Sequence, residues 1–247
     1  MAGQGRVDGP PSARGFQYQG SELETFAGAT NWKTYFSSFI SPYIGRHVLE
    51  VGAGLGANTG FLVSSRVEQW VCLEPDPALA EEIRLKIRAG VLPRVCSVRT
   101  GTLEELAGPL VFDSILYLDV LEHIADDRAE LRLAASRLTP GGYLLVLAPA
   151  HGFLFSAFDA AIGHHRRYNL AALRAAAPSG VEMVEWRMLD AAGFFASLAN
   201  RWLLRSSRPS RRQVSLWDRC LVPASRFLDR MTFYRAGKTV LIVWRRS

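Results

Sequence analysis

From residue 45 onward the chain alternates short apolar runs with stretches whose apolar residues recur at helical spacing. Residues 48–51 are mostly apolar without a break, which suits a strand buried on both faces of a parallel sheet. Further strands are expected over 71–74, 95–98, 111–118, 143–148, 181–189 and 239–244. Between them, Asp76-Pro77 marks a helix start, a capping carboxylate followed by proline at the first helical position. Leu79, Ile83 and Ile87 give that helix one apolar face, and Gly90 ends it. Asp126-Asp127 cap a helix carrying Leu131, Leu133, Ala134 and Leu138, and Thr139-Pro140-Gly141-Gly142 turns the chain into strand five. Asn169 caps a helix over 170–177, which Pro178 stops. Strands alternating with helices in this way define an α/β fold with a mostly parallel sheet.

The two ends depart from that alternation. Residues 1–20 hold five glycines and Pro10-Pro11 and too little apolar material to pack alone, so they are expected to be disordered unless a ligand orders them. Leu23, Phe26, Trp32, Tyr35, Phe36, Phe39 and Ile40 then predict one helix over 21–41, ahead of the stop at Pro42. Beyond the α/β core at 45–190 lies a helical insertion over 190–231, followed by the last strand within 238–245. Its first part, 190–204, is strongly apolar, with Phe194, Phe195, Leu198, Trp202 and Leu203; residues 206–213 are a basic polar connector. Residues 215–231 put Leu216, Trp217, Cys220, Leu221, Ala224, Phe227, Leu228 and Met231 on one face, although Pro223 would break or kink that helix.

The candidate chemistry begins where strand one ends, at Gly52-Ala53-Gly54-Leu55-Gly56. Glycines at alternate positions let the backbone bend sharply and let a ligand approach where a Cβ would collide with it. The amides of the following helix then face the ligand. Strand two ends in Glu74, about 20 residues further on, the spacing at which a carboxylate meets the two hydroxyls of a ribose. A nucleoside ligand follows from that pair. It belongs to NAD or to S-adenosylmethionine, because Gly52-x-Gly54-x-x-Ala57 also satisfies the dinucleotide pattern.

More residues separate the two. Glu50 stands two positions before the first glycine, Glu74 is followed by Pro75-Asp76, and a third acidic segment is Leu118-Asp119-Val120-Leu121-Glu122-His123-Ile124. With Thr139-Pro140-Gly141-Gly142, these segments resemble the successive motifs of class I S-adenosylmethionine-dependent methyltransferases, over roughly residues 45–190. The resemblance implies a Rossmann-like sheet of seven strands in the order 3-2-1-4-5-7-6 with the last antiparallel. It implies S-adenosylmethionine as cofactor, held by Glu50, Gly52, Gly54, Glu74, Pro75, Thr102, Leu103, Leu118 and Asp119. Many relatives place an aspartate beside the adenine amino group. Here the matching positions are Gly101 and Thr102, so adenine recognition leans on Thr102, backbone groups and the apolar wall of Leu103. The N-terminal helix would close the site, making Tyr18, Trp32 and Tyr35 candidates to touch cofactor or substrate.

The segment after strand five crowds aromatics and three of the five histidines into one loop. It resembles the Asp…Gly-His-x-Arg-Arg-Tyr lid of a bacterial methyltransferase subfamily, and Phe153, Phe155, His164, Arg166 and Tyr168 are its candidate substrate contacts. Arg166 offers a charge for a carboxylate or phosphate of the acceptor. Methyl transfer from a sulfonium is an in-line displacement, so alignment in a dry site supplies most of the acceleration. An oxygen or nitrogen nucleophile must still lose a proton, and histidine has the suitable resting pKa. His123 and His151, just beyond strands four and five, are the candidate bases, with His164 or His165 reaching in from the lid. A hydrogen-bonded structural role is the alternative for each.

Composition changes this picture in four places. At 247 residues and 49% hydrophobic, the chain fits one large α/β domain. No run reaches the 18 or so apolar residues needed to cross a bilayer, and no apolar leader follows a basic start, so a cytoplasmic protein is expected. Cys72, Cys96 and Cys220 lack Cys-x-x-Cys spacing, which favours reduced thiols, and no metal ligand is assigned. The net charge of +6 is uneven: residues 201–247 hold twelve Arg or Lys against Asp218 and Asp229, hence +10. Such a tail is a solvated surface, or it contacts an anionic substrate, an acidic carrier or a membrane. The insertion likewise packs on its own sheet, forms a substrate wall or homodimer contact, or rests on lipid. Nucleic acid is not an expected partner, since neither an Asn-Pro-Pro-Tyr-type motif nor an RNA-binding domain is present. The reading that follows is a methyltransferase for an oxygen or nitrogen of a small molecule. The alternatives are a lipid-associated methyltransferase, an NAD-dependent oxidoreductase, or a binding module without catalysis.

Overall fold

Alternate residues of the central strands are buried on opposite faces, so helices must cover both sides of the sheet. The strands are β1 (His47–Val51), β2 (Gln69–Glu74), β3 (Cys96–Thr100), β4 (Phe112–Leu118), β5 (Leu138–Pro149), β6 (Val181–Leu189) and β7 (Thr239–Arg246). The computed structural model describes residues 18, 20, 22–108, 111–199 and 210–247. Its sheet has the order β3-β2-β1-β4-β5-β7-β6, with β7 antiparallel to both neighbours. The expected α/β class and strand order are both present. Leu49, Ile115, Tyr117, Leu144 and Ile242 pack on one face, Val48, Leu116, Leu145, Leu241 and Val243 on the other.

Carboxyl ends of parallel strands all point to one edge, and that edge carries the loops of interest. The glycine loop follows β1, Glu74 closes β2, Asp119 follows β4 and His151 follows β5. Asp119, His151 and Asp190, which follow β4, β5 and β6, all have positive φ, at 56°, 65° and 67°. This conformation is costly for residues with a Cβ, and it clusters at functional edges.

Helices α3 (Thr59–Leu62), α4 (Pro77–Arg88), α5 (Asp127–Ser136), α6 (Ala157–Ala161) and α7 (Leu170–Ala176) connect the strands. The expected caps are in place: Asp76 accepts from the amides of Ala78 and Leu79, Asp126 from Ala129 and Asn169 from Ala172. Leu138 starts β5 instead of extending α5, because its partner across the sheet is Phe112 and the strand continues through Gly141 at φ 78°.

The helix expected over 21–41 is two helices, α1 (Glu22–Ala27) and α2 (Thr30–Ile40), broken where Ala29 leaves helical ψ. The insertion differs more. Its described part comprises α8 (Ala191–Ala199), α9 (Arg211–Leu216), a π-helical turn at Trp217–Leu221 and α10 (Val222–Met231). Trp202, Leu203 and the first half of the basic connector lie outside the described residues. The connector's end is helical, since Ser210 and Gln213 form a capping box for α9. Pro223 falls in the first turn of α10, directly after the π turn, whose wider i→i+5 pairing accommodates a residue that has no N–H to donate.

The face expected to be buried is not the one that is. Leu216, Phe227 and Met231 are more than 60% exposed, whereas Val214, Asp218, Val222, Ser225 and Asp229 point inward. Backbone donors decide this. Asp218 accepts from the amides of Asn31 and Trp32, closing an N-terminus of α2 that has no cap of its own. Asp229 accepts from the amides of Asp190 and Ala191 and from the Tyr35 hydroxyl. Asp190 takes the Trp217 indole N–H, the Ser225 hydroxyl and the Gly193 amide, with Lys238 Nζ at 3.2 Å. Three buried carboxylates thus lock α2, α8 and α10 together beside the strand edge.

Candidate active site

The glycine loop is strained in the manner its sequence demands. Gly52 and Gly54 have φ of 64° and 56°, and a Cβ on Gly52 would lie 2.7 Å from the Val120 side chain. Only glycine fits there. The loop is tied to β2, since the amides of Gly52 and Ala53 donate to the Leu73 carbonyl and that of Gly54 donates to Glu74 Oε2 at 2.7 Å. The Asp76 amide donates to Glu74 Oε1 at 2.9 Å. Burial raises the Glu74 carboxyl above its ordinary value, and these two amides oppose the rise only in part. A carboxylate offers about four lone-pair sites, so two such bonds leave acceptor capacity beside the loop.

Glu50 lies on β1, buried. Its Oε2 accepts from Thr59 Oγ1 at 2.6 Å and from the Trp70 indole at 2.9 Å, which fixes the start of α3 against β2. Burial lifts its carboxyl to about 7 despite both bonds. Pro75 is half-buried between Glu74 and the Asp76 cap. At the end of β3 the Thr102 amide and hydroxyl both donate to Glu105, while Leu103 and Leu118 are buried in the two core clusters.

Asp119 is solvent-exposed at the strand edge, while surrounding protein desolvates its carboxyl. Burial raises its carboxyl to about 6, against the opposing charges of His164, Lys238, Lys33 and Arg167. Next to it a 3₁₀ turn at Leu121–His123 carries Glu122 and His123. Glu122 is fully buried, and among the described residues neither of its oxygens has a hydrogen-bond partner. Burial, and then the Asp119 charge, push its carboxyl well above the usual range. The His123 ring meets the ring of His164 edge to face at 4.5 Å and that of Tyr18 at 6.0 Å. Burial, then the charges of His164 and His165, lower His123 to about 4.

The lid brings His164 to this point. Asp159 Oδ1 lies 3.0 Å from His164 Nδ1, and the same carboxylate takes Arg167 and the Ser156 cap. Burial opposes the Asp159 charge, but those partners hold its carboxyl at about 2. An ionised carboxylate only accepts, so His164 Nδ1 donates to Asp159 and its Nε2 lies on the opposite side of the ring. That Nε2 stands 3.8 Å from Glu122 Oε1.

His123, His164, Asp119 and Tyr18 are therefore gathered at one place, whereas other expected contacts are engaged elsewhere. His151 Nε2 lies 2.8 Å from the Gly237 carbonyl, and its ring packs with Phe153 and Phe194. Phe153 is 54% exposed and Phe155 half-buried. Tyr168 is a core residue whose hydroxyl donates to Asp127 and the Leu121 carbonyl, and Arg166 pairs with the same Asp127. Trp32 and Tyr35 are bound to Asp218 and Asp229 through a backbone amide and a hydroxyl. Sequence reasoning passed over Glu122, Asp159, Arg167, Lys33 and Lys238. Glu122 and Asp159 stood inside quoted segments, but an acidic residue beside a histidine says nothing of which way it points.

Known proteins share this fold. Residues 49–144, under half of the chain, match the family model described as "Methyltransferase domain". A ubiquinone biosynthesis O-methyltransferase of Xanthomonas axonopodis pv. citri (strain 306) is 28% identical over 155 residues, covering 54% of this chain and 63% of that protein. One from Caulobacter sp. (strain K31) is 32% identical over 116 residues, covering 43% of this chain and 42% of that protein. Both matches span less than two thirds of the relative's length. Among solved structures, a geranyl diphosphate methyltransferase in complex with SAM shares the fold, with a TM-score of 0.63 at 13% identity over 92% of this chain and 90% of that one. The sheet is that of the Rossmann-like methyltransferases. Residues 49–144 are thus similar to a methyltransferase domain, in keeping with the resemblance to class I S-adenosylmethionine-dependent methyltransferases.

Proposed function

We propose that this protein transfers the methyl group of S-adenosylmethionine to a hydroxyl oxygen of a small molecule, with an amine nitrogen as the second choice of acceptor. The observation that carries this reading is the buried Glu74 carboxylate, anchored by the Gly54 and Asp76 amides beside a loop that only glycine can form. Glu74 takes the ribose hydroxyls, Gly52 and Gly54 admit the methionine portion, Thr102 and Leu103 border adenine, and Asp119 faces the ammonium. Bound there, the cofactor supplies an electrophilic methyl group. The acceptor heteroatom would bond to that carbon as the carbon–sulfur bond broke, releasing S-adenosylhomocysteine, and the His123 and His164 side would take up the acceptor's proton. His123 is neutral at physiological pH. The names of the two curated relatives favour oxygen over nitrogen. A cytoplasmic setting suits the free thiols Cys72, Cys96 and Cys220. Titration calorimetry tests the cofactor: S-adenosylhomocysteine should bind and NAD should not, and the reverse would make the protein an oxidoreductase.

A lipid-associated form of the same enzyme is favoured by one further observation. Leu216, Phe227, Met231 and Phe233 are 61 to 81% exposed on and after α9 and α10, among Arg212, Arg219 and Arg230. Among the described residues no helix is long and apolar enough to cross a membrane, so contact of this kind would be at the surface.

A further inference from the structure

We propose that Lys33 is a positioning residue for cofactor binding: its buried Nζ clamps the end of α1 and so seats Leu23 over the glycine loop. The proposal rests on the reading of the crevice as a site for S-adenosylmethionine. Lys33 stands in the first turn of α2 and is only 4% exposed. Among the described residues its Nζ is met by two backbone carbonyls, Phe26 at 2.6 Å and Ala27 at 3.1 Å, and by no carboxylate. A buried amine needs such partners, and the last carbonyls of a helix have none within the helix itself.

Little else holds α1. It has six residues, too few to be stable alone, and none of them is buried. Its Glu24 pairs with Arg211, but both side chains are exposed, where such pairs contribute little. Phe26 meets Trp217 edge to face, with ring centroids 6.0 Å apart. The neighbouring α2 is fixed by contrast: Asp218 accepts from the amides of Asn31 and Trp32, and Trp32, Phe36 and Ile40 lie in the core. Lys33 carries that rigidity back across the bend at Ala29. What it places over the crevice is Leu23, whose Cδ atoms lie 3.6 and 3.7 Å from where a Cβ on Gly54 would stand. Before α1, the Tyr18 amide donates to Asp76 Oδ2 at 2.7 Å, so α1 is flanked by a tie to the cap of α4 and a tie to α2. A cofactor lying against Gly54 then binds the clamped arrangement, and loosening the clamp lowers affinity by the share of molecules that leave it.

The test compares Lys33→Met, Lys33→Arg, Leu23→Ala and the Lys33→Met, Leu23→Ala double variant in the full chain, with urea denaturation showing which are folded. Hydrogen exchange reports the clamp without any ligand: peptides covering 22–29 should exchange faster in Lys33→Met, while those of β1 and β4 stay as they are. Titration of S-adenosylhomocysteine reports the consequence. Lys33→Met and Leu23→Ala should each weaken binding roughly 10-fold, and the double variant by no more than about twofold beyond Lys33→Met, because both act through α1. Lys33→Arg can donate to the same carbonyls and should recover most of the affinity. Unchanged exchange or unchanged affinity in folded Lys33→Met overturns the proposal. So does a double variant whose loss is the product of the single losses, or a Lys33→Arg no better than Lys33→Met. Should Lys33→Met fail to fold, Leu23→Ala decides, and binding as tight as that of the unaltered chain overturns the clamp. An unaltered chain that binds no S-adenosylhomocysteine removes the methyl-transfer reading and the positioning role with it, whereas equal binding by the unaltered chain and Lys33→Met removes the clamp alone.

Discussion

Two carboxylates on neighbouring strands show how position decides a side chain's task. Glu50 and Glu74 are equally buried, yet Glu74 accepts from backbone amides of the ligand loop and Glu50 from a hydroxyl and an indole behind it. Glu50 is thereby a brace of the loop's far side, and its carboxyl sits at about 7 against an ordinary 4.5. The sign of the consequence is fixed. A carboxyl raised in the folded state stabilises below its unfolded pKa, and that stability is lost as pH rises through the folded value. Glu50→Gln keeps an oxygen for Thr59 and Trp70 but cannot ionise. Its unfolding free energy relative to the unaltered chain should therefore increase by about 2–3 kcal/mol between pH 4.5 and 7, measured by urea denaturation. A difference that does not vary with pH would place the titration elsewhere.

At the scale of elements, strands were legible and the helical ends were not. Runs such as 111–118 announce themselves because both faces of a parallel strand are buried, and their glycine and carboxylate punctuation placed Gly52, Gly54, Glu74 and Asp119 at one edge. Asp76, Asp126 and Asn169 were read correctly as caps because capping is a local affair. The insertion failed on the opposite ground. Periodicity put its apolar residues inside, but the space beside α2 is lined by backbone donors of residues 31, 32, 190 and 191, and these select Asp218 and Asp229. The same long-range pairing engages the Tyr35 hydroxyl and the Trp32 amide, which belong to two of the candidate ligand contacts. Asp229→Ala would strand two amides and a hydroxyl in the interior, at about 1–3 kcal/mol for each group left unpaired. Chemical denaturation should show a loss of about 3 kcal/mol or more, against about 1 kcal/mol for Tyr35→Phe, which leaves Asp229 its two amides. Equal costs would mean that Asp229 does not hold α2, α8 and the strand edge together.

For the whole molecule, one sheet edge collects the chemistry while the charge gathers toward the C-terminus. Arg212, Arg219 and Arg230 stand beside exposed Leu216, Phe227 and Met231, a combination suited to an anionic lipid surface. Vesicles containing anionic lipid should sediment the protein at low salt and release much of it at high salt, and Phe227→Glu should weaken binding without altering affinity for S-adenosylhomocysteine. Retention that is indifferent to salt and to Phe227→Glu would remove the lipid reading. The histidines illustrate how the site was only partly foreseeable. His123 and His164 are 41 positions apart and meet through the lid, whereas His151, equally well placed along its strand, is bound to the Gly237 carbonyl.

All of these scales converge on the glycine loop and the carboxylate that faces it. The most direct measurement is calorimetric titration of S-adenosylhomocysteine into the unaltered chain and into Glu74→Ala, with urea denaturation confirming that both are folded. Binding by the unaltered chain, weakened by about 1–3 kcal/mol in Glu74→Ala, is the expected result. Equal affinities, or no binding to either, would contradict the assignment of Glu74 to the ribose and the account of the crevice with it.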